Sequence, residues 1–458
     1  MIILSITLCY AACANASIND PFNTDALTTS NPQTYWRGTT DLTLNDIAIQ
    51  KAVSLLPHKP LTLSEITDFA LRNNPTTRLA WAQAKFAAAS LGNAKSAYLP
   101  QITAGLSAQY SSNLFSNNQG SGNTTGPNFS LSYLLLDFGT RANTVRAQHY
   151  ALIAANLNQN SAIQQLIFQI EQAYYQVLGQ QALIVANQQS VAEANTSVKA
   201  SQALRSQGLA TVGDVYQAQS SLAQATLSLE QATGNYQIAL GQLATAMGVP
   251  ANTPLQLTPL TEVLPIHKVS DNMQTLMAKA THNRPDLLAA AAQVRQSESQ
   301  LTATKAAALP VVSLNASAGP VTIDNVGTTN TSISLNLTVP LFTGYSQTYQ
   351  VRQAKAQVLA SEADRDTLYQ QVKLQVWQAY YALQTAGANV SSSEVFLKSS
   401  LQASKQARGQ YQAGVGNILS VLSTQSSLAT ARVQSIQARL NWYIALAQLA
   451  QAMGQLSS

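Results

Sequence analysis

The sequence predicts a mixed, mainly α fold made of one unit used twice, each copy holding two β-strands and long coiled helices. Three observations predict it. Gln172-Ala173-Tyr174-Tyr175 recurs as Gln378-Ala379-Tyr380-Tyr381, Ser220-Ser221-Leu222-Ala223 as Ser426-Ser427-Leu428-Ala429, and Ala246-Met247-Gly248 as Ala452-Met453-Gly454, each pair 206 positions apart. With a small slip, Asn73-Asn74-Pro75 answers Asn283-Arg284-Pro285 and Tyr98-Leu99-Pro100 answers Ala308-Leu309-Pro310. Four short segments alternate apolar and polar residues with the period of a strand. After each pair of these, helical periodicity runs unbroken over more residues than a globular domain uses, about 100 Å for residues 141 to 207 at 1.5 Å per residue.

A short leader precedes the repeats. Residues 1 to 8 form an apolar opening that reads as the core of a secretory signal, and Cys9 and Cys13, the only cysteines, lie just after it, so no disulfide framework holds the folded body. Ala14-Asn15-Ala16 fits cleavage before Ser17, giving a signal peptide over residues 1 to 16; Tyr10-Ala11-Ala12-Cys13 fits a lipoprotein signal, which would lipidate Cys13. Both readings stay open. No Lys or Arg precedes Arg37, so Met1 need not be the natural start. Residues 17 to 60, with Pro21, Pro32, Pro57 and Pro60, read as an irregular leader.

The first repeat covers residues 61 to 248. A short helical pattern breaks at Asn73-Asn74-Pro75, and an Ala-rich helix follows until Pro100. In a strand at about 101 to 112, Ile102, Ala104, Leu106 and Ala108 alternate with polar neighbours; in a second, at about 128 to 137, Phe129, Leu131, Tyr133 and Leu135 do so, with a polar loop over 117 to 126 between them. Helical period resumes at about 139 and runs to 207, with Ile163, Leu166, Ile170, Tyr174 and Val177 on one stripe. A turn from Gly208 to Gly213 leads to a return helix at about 214 to 247. Residues 249 to 272, with four prolines, form the linker. The second repeat, 273 to 454, places strands at about 311 to 319 and 331 to 341, a long helix at about 344 to 413, a turn over Gly414 to Gly416, and a return helix at about 418 to 453; 455 to 458 are a tail.

Only 10% of the 458 residues are charged, against about 25% in ordinary globular chains. Ala, Gln, Ser, Asn and Thr take their place, which suits close helix packing or exposure beside a membrane. The net charge of +5 is spread over single residues such as Arg146, Lys199, Arg352 and Lys373, which excludes nucleic acid as a partner. Beyond the opening, no apolar run approaches the roughly 18 residues of a membrane-spanning helix, so any bilayer crossing is made by strands. Each strand pattern has the length, about ten residues, that crosses hydrocarbon at a tilt. Four such strands leave two unpaired edges that lipid cannot satisfy, so closure comes from other copies: two copies give eight strands and a filled interior, three give twelve and a lumen.

The order of these elements, the Asn-Asn-Pro and Asn-Arg-Pro breaks, the Leu-Pro steps into the strands, the Leu136-Asp137-Phe138-Gly139 and Pro340-Leu341-Phe342-Thr343-Gly344 exits and the Ala-Met-Gly ends resemble the TolC-like outer-membrane efflux channels over about residues 60 to 454. The resemblance implies a homotrimer: a twelve-stranded β-barrel in the outer membrane of a Gram-negative bacterium, an α-helical barrel across the periplasm, and a belt from the leader, linker and C-terminus. It implies a periplasmic adaptor and a proton-driven or ATP-driven inner-membrane pump as partners, outer-membrane lipid around the strands, and no cofactor. By position, Asp214 and Tyr411 fall where some members make a gate-holding hydrogen bond, and Gly208, Leu209, Thr211, Gly213, Gly414, Val415 and Gly416 form the hairpin tips that face the adaptor. Two departures stand out. Gly416 replaces an Arg that can pair with the outer hairpin, and Ser420 and Ser423 stand where acidic rings occur, so the usual cation selectivity and tight closure do not carry over on these residues.

Each of these residues has a simpler reading. Asp214 also suits a helix cap, Tyr411 packing between helices, Ser420 and Ser423 small interface positions, and the Tyr174-Tyr175 and Tyr380-Tyr381 pairs helix packing. An enzyme is not expected, because His58, His149, His267 and His282 are scattered and no metal or nucleophile motif is present. The leading function is the exit duct of a tripartite efflux system, with a type I protein secretion channel as the alternative; a structural coiled-coil surface protein leaves the four strands unexplained.

Overall fold

The computed structural model describes residues 59–112, 121–258, 272–323 and 326–456. The expected signal peptide over residues 1 to 16 with Cys13, nearly all of the leader, residues 113 to 120, most of the linker and the last two residues lie outside that set. The chain divides into Met1–Lys51 and Ala52–Ser458, and every described residue belongs to the second unit.

The two repeats match helix for helix. Repeat one runs α1 (Leu63–Asn73), α2 (Pro75–Ser96), β1 (Gln101–Ser112), β2 (Ser121–Leu136), α3 (Thr140–Ser206) and α4 (Val212–Ala246). Repeat two runs α5 (Met273–Asn283), α6 (Pro285–Ala306), β3 (Val311–Ile323), β4 (Val326–Thr338), α7 (Ser346–Gln412) and α8 (Ile418–Ala452). The paired helices have identical lengths of 11, 22, 67 and 35 residues. No described helix is long and apolar enough to cross a membrane.

Local chemistry sets the breaks. Thr62 and Glu65 form a capping box at the start of α1, where ion pairing with Lys59 and hydrogen bonds from Thr62 hold the exposed Glu65 carboxyl down at about 2. Asn74 ends α1 and caps α2, whose first residue is Pro75; Arg284 and Pro285 occupy the same places between α5 and α6. The recurring motifs meet in space. Asn74 Nδ2 donates to the Ala246 carbonyl at 2.7 Å, and the Arg284 guanidinium reaches the equivalent Ala452 carbonyl at 3.5 Å. Gly248 (φ +79°) and Gly454 (φ +69°) end the return helices with their backbones against Asn73-Asn74 and Asn283-Arg284, so close that a Cβ on Gly248 would lie 2.9 Å from Asn74 Cα and one on Gly454 3.0 Å from Arg284 Cα.

The four strands form one antiparallel sheet in the order β1-β2-β3-β4, which leaves β1 and β4 as edges. The register sorts the side chains by face. One row reads Ile102, Leu131, Ala316 and Ile333, with Phe129, Leu106, Leu335 and Leu337 on the same side; Ile102, Leu106, Ile333, Leu335 and Leu337 are 64 to 84% exposed. On the other face, Thr103, Ser130, Ser317 and Ser332 stand side by side, and Gln101, Ser132, Asn315 and Ser334 make the next row. Hydroxyl pairs close across that face at 2.5 Å (Thr103 with Ser130) and 2.8 Å (Ser317 with Ser332).

The strands outrun their alternating segments. β2 begins at Ser121 rather than about 128, because Ser121 to Asn128 pair with β1 through the backbone and a ladder needs no apolar side chain. For the same reason β3 extends to Ile323 and β4 starts at Val326. β4 stops at Thr338, short of 341, because Pro340 lacks the N–H to continue. In repeat one the sheet hands over to α3 at Asp137, whose carboxylate accepts the Arg141 N–H at 2.5 Å, while the Arg141 guanidinium donates to the Leu134 carbonyl at 2.6 Å and the Ala97 carbonyl at 3.2 Å.

Helices of 67 residues persist because their length is packed: α3 runs along α4, α6, α2 and α8, and α7 along α8 and α6. The core divides between the repeats. Ile66, Leu166, Ile170, Val177, Leu243 and Met247 join α1, α3 and α4, and Leu276, Val372, Val376, Val390, Trp442 and Leu449 join α5, α7 and α8. Many other buried positions are Ala or Ser, which lets the helix backbones approach closely. Tyr174 is buried and its hydroxyl donates to the Thr258 carbonyl at 3.1 Å, Tyr175 stacks on Tyr443 at 4.8 Å, Tyr380 packs on the second core, and Tyr381 lies against Trp377, partly exposed.

Candidate gate at the hairpin ends

Each long helix ends in a turn set by a left-handed glycine. Gly208 (φ +76°) and Gly414 (φ +74°) let the chain fold back, and the next residues, Leu209 and Val415, donate to the Leu204 and Gln410 carbonyls at 2.8 and 3.0 Å. Leu209 and Val415 then project outward, 70 and 80% exposed. The two tips carry apolar side chains at equivalent places.

The return helices are capped differently. Thr211 is the N-cap of α4: its hydroxyl accepts the Asp214 N–H at 3.2 Å, and the Asp214 carboxylate accepts the Thr211 N–H at 2.7 Å. Gly213, expected in the turn, therefore already belongs to the first turn of α4, and the helix starts two residues before Asp214. In α8 Asn417 is the cap and its side chain accepts the Ser420 N–H at 2.8 Å. Ser420, on the first turn of α8, and Ser423, on the second, are exposed, and Ser420 also passes its carbonyl to the Thr424 hydroxyl at 2.8 Å.

Tyr411 packs with Ala407, Ile418, Val421, Leu204 and Leu422 and is 6% exposed. Its hydroxyl is buried without a hydrogen-bond partner among the described residues. Burial raises the phenol above its ordinary 10.0, and the nearby Asp214 carboxylate adds to the rise. The Asp214 charge thus acts on Tyr411, but the expected hydrogen bond between them is not made: the carboxylate is engaged at the α4 cap and the phenol hydroxyl has no partner among the described residues. Gly416 is tightly seated: a Cβ there would lie 3.0 Å from the Tyr411 nitrogen, so a side chain such as Arg would need the turn to shift by a few tenths of an ångström.

The sequence reading missed the polar ties that fasten α8 to α3 above this point. Arg432 forks onto Glu193 through two bonds of 2.9 and 2.7 Å, with both side chains largely buried, and one to two turns nearer the tips Gln425 Nε2 donates to the buried Ser197 hydroxyl at 2.9 Å. Glu193 and Arg432 are 239 residues apart, so only a contact between repeats could have announced them.

A family profile described as outer membrane efflux protein matches residues 67–249 and 276–455, one segment per repeat. The chain is 30% identical over 386 residues to protein CyaE of Bordetella pertussis, covering 82% of this chain and 80% of that one. It is 26% identical over 393 residues to outer membrane efflux protein BepC of Brucella suis, with 85% and 84% covered. Among solved structures it superposes on the outer-membrane channel OprN (TM-score 0.78, 20% identity, 86% of this chain and 89% of that chain) and on the outer membrane protein VceC of Vibrio cholerae (TM-score 0.77, 20% identity, 86% and 96%). The duplicated fold, the two-faced sheet and these matches agree: the chain belongs to the outer membrane efflux protein family, and it is a channel protein of the Gram-negative outer membrane that reaches into the periplasm, not an enzyme.

Proposed function

We propose that three copies join the free edges β1 and β4 into a twelve-stranded barrel and bring their long helices into one periplasmic tube, forming the exit duct of a tripartite efflux assembly. The observation that carries this reading is the sheet itself: an apolar face 64 to 84% exposed at Ile102, Leu106, Ile333, Leu335 and Leu337, two open edges, and helices of 67 residues on one end. Open edges in hydrocarbon leave backbone groups unsatisfied at several kcal/mol each, and closure by copies of the same chain removes that cost. A signal peptide over residues 1 to 16 sends the chain out of the cytoplasm.

The hairpin tips around Leu209 and Val415 dock a periplasmic adaptor, which couples the duct to an inner-membrane pump driven by protons. Asp214 and Tyr411 hold the inner end shut, and Ser420 and Ser423 leave that end without acidic rings. Efflux is preferred because the chain is also similar to the solvent efflux pump outer membrane protein SrpC of Pseudomonas putida, 26% identical over 211 residues, 45% of this chain and 43% of that one. Deleting the gene and measuring drug susceptibility beside the secreted protein profile tests the assignment. Heightened drug sensitivity is expected; unchanged sensitivity with lost secretion replaces efflux by type I protein secretion through an ATP-driven pump.

A further inference from the structure

The polar face of the sheet carries an unusual property for a water-filled barrel. None of the four strands contains an Asp, Glu, Lys, Arg or His. Its rows are mainly hydroxyls and amides, with the aliphatic Leu134 and Val311 on the same face at the inner end: Thr103, Ser130, Ser317 and Ser332 stand at one level, with glycine and asparagine at the next level outward, where a Cβ on Gly105 would lie 2.6 Å from the Asn128 amide oxygen and one on Gly319 3.0 Å from Asn128 Cα. The missing Cβ of Gly105 leaves room for the Asn128 amide, and that of Gly319 lets the β2 backbone approach. At the inner end of β2, Asp137 and Arg141 form an ion pair at 3.3 Å and offset each other. Asp324, between β3 and β4 in sequence, lies outside the described residues.

We infer that the strand-lined stretch of the lumen is an electroneutral hydroxyl and amide passage that discriminates against neither cations nor anions, and so admits cargo of either sign, including solutes and chains of mixed charge. The inference rests on the trimeric reading above, which turns this face inward. The physical reason is field focusing: in a narrow water-filled pore with low-dielectric walls, a ring of like charges concentrates the opposite ion about tenfold or more, whereas dipoles that pair with one another across the wall produce no net potential along the axis. Here the hydroxyls do pair, Thr103 with Ser130 and Ser317 with Ser332. Selection by this stretch is then by width.

The test places a thiol on the hydroxyl row. Ser317→Cys in the full chain, reconstituted as the assembled protein in liposomes, is reacted with a positively and a negatively charged methanethiosulfonate, each rate normalised to that of a free thiol. The expected ratio of normalised rates is about 1, and adding Ser130→Asp beside it speeds the cationic reagent several-fold over the anionic one. Ser332→Cys, on the same row, repeats the measurement should Ser317→Cys fold poorly. A ratio displaced about tenfold in either direction without the added Asp overturns the neutral wall. A conducting trimer in which neither thiol reacts overturns the inward placement of the row. Protein that neither trimerises nor conducts overturns the channel reading and the inference with it, and is told apart from the other outcomes by the conductance record.

Discussion

At the start of α4 the Asp214 carboxylate is already engaged by the Thr211 N–H, so its two roles, cap and gate, separate by substitution. Asp214→Ala and Thr211→Ala both break the capping box, at about 1 kcal/mol of local helix stability, but only the first removes the charge beside Tyr411. Single-channel recording in planar bilayers is expected to show raised conductance for Asp214→Ala and not for Thr211→Ala; equal effects would return Asp214 to a purely structural part. Tyr411 gives a pH signature. Because burial, and then Asp214, raise its phenol above 10.0, the neutral form is favoured in the folded hairpin; that stability is fully present below 10.0 and lost as the pH climbs past it. Wild-type thermal stability should fall relative to Tyr411→Phe only in strong alkali, and parallel curves throughout would contradict the shift. At neutral pH Tyr411→Phe is expected to cost little, since the hydroxyl it deletes is buried without a partner. Gly248→Ala is costlier. A left-handed φ of +79° and a Cβ 2.9 Å from Asn74 Cα together destabilise by at least about 1–2 kcal/mol, read as a lowered melting temperature.

Helices were the most legible elements, because Pro75, Pro285, Gly208 and Gly414 punctuate an otherwise continuous period and the duplication states each boundary twice. Strand ends were less so. The alternation of Phe129 to Leu135 reports contact with an apolar surface, whereas Ser121 to Asn128 are held by the ladder alone and carry no such pattern. Pairings between elements were not legible: Arg432 looks like any isolated cation in sequence, yet its fork onto Glu193 leaves it 13% exposed, while Arg439, seven residues on, meets Glu394 in the open at 45%. That contrast yields a prediction at this scale. Arg432→Ala strands the Glu193 carboxylate between α3 and α8 and is expected to cost about 3 kcal/mol, against about 0.5 kcal/mol for Arg439→Ala. Denaturation of the purified protein measures both, and equal losses would show that the Glu193 fork contributes no more than a surface pair.

For the whole molecule, the duplication provides four strands where a closed barrel needs more, so on the proposed reading one chain is one part of a ring. The exposed apolar face on Ile102, Leu106, Ile333 and Leu335 and the free edges β1 and β4 are the two features that a solitary soluble chain could not sustain. Sequence periodicity gave the faces, and counting strands gave the need for partners; the copy number of three rests on leaving a lumen. The most direct measurement is native mass spectrometry of the protein extracted from outer membranes, with β1–β4 contact between copies checked by a disulfide from Thr103→Cys to residues on β4. The expected result is a particle of three copies with β1 of one cross-linked to β4 of the next. A soluble single copy with no such cross-link would contradict it.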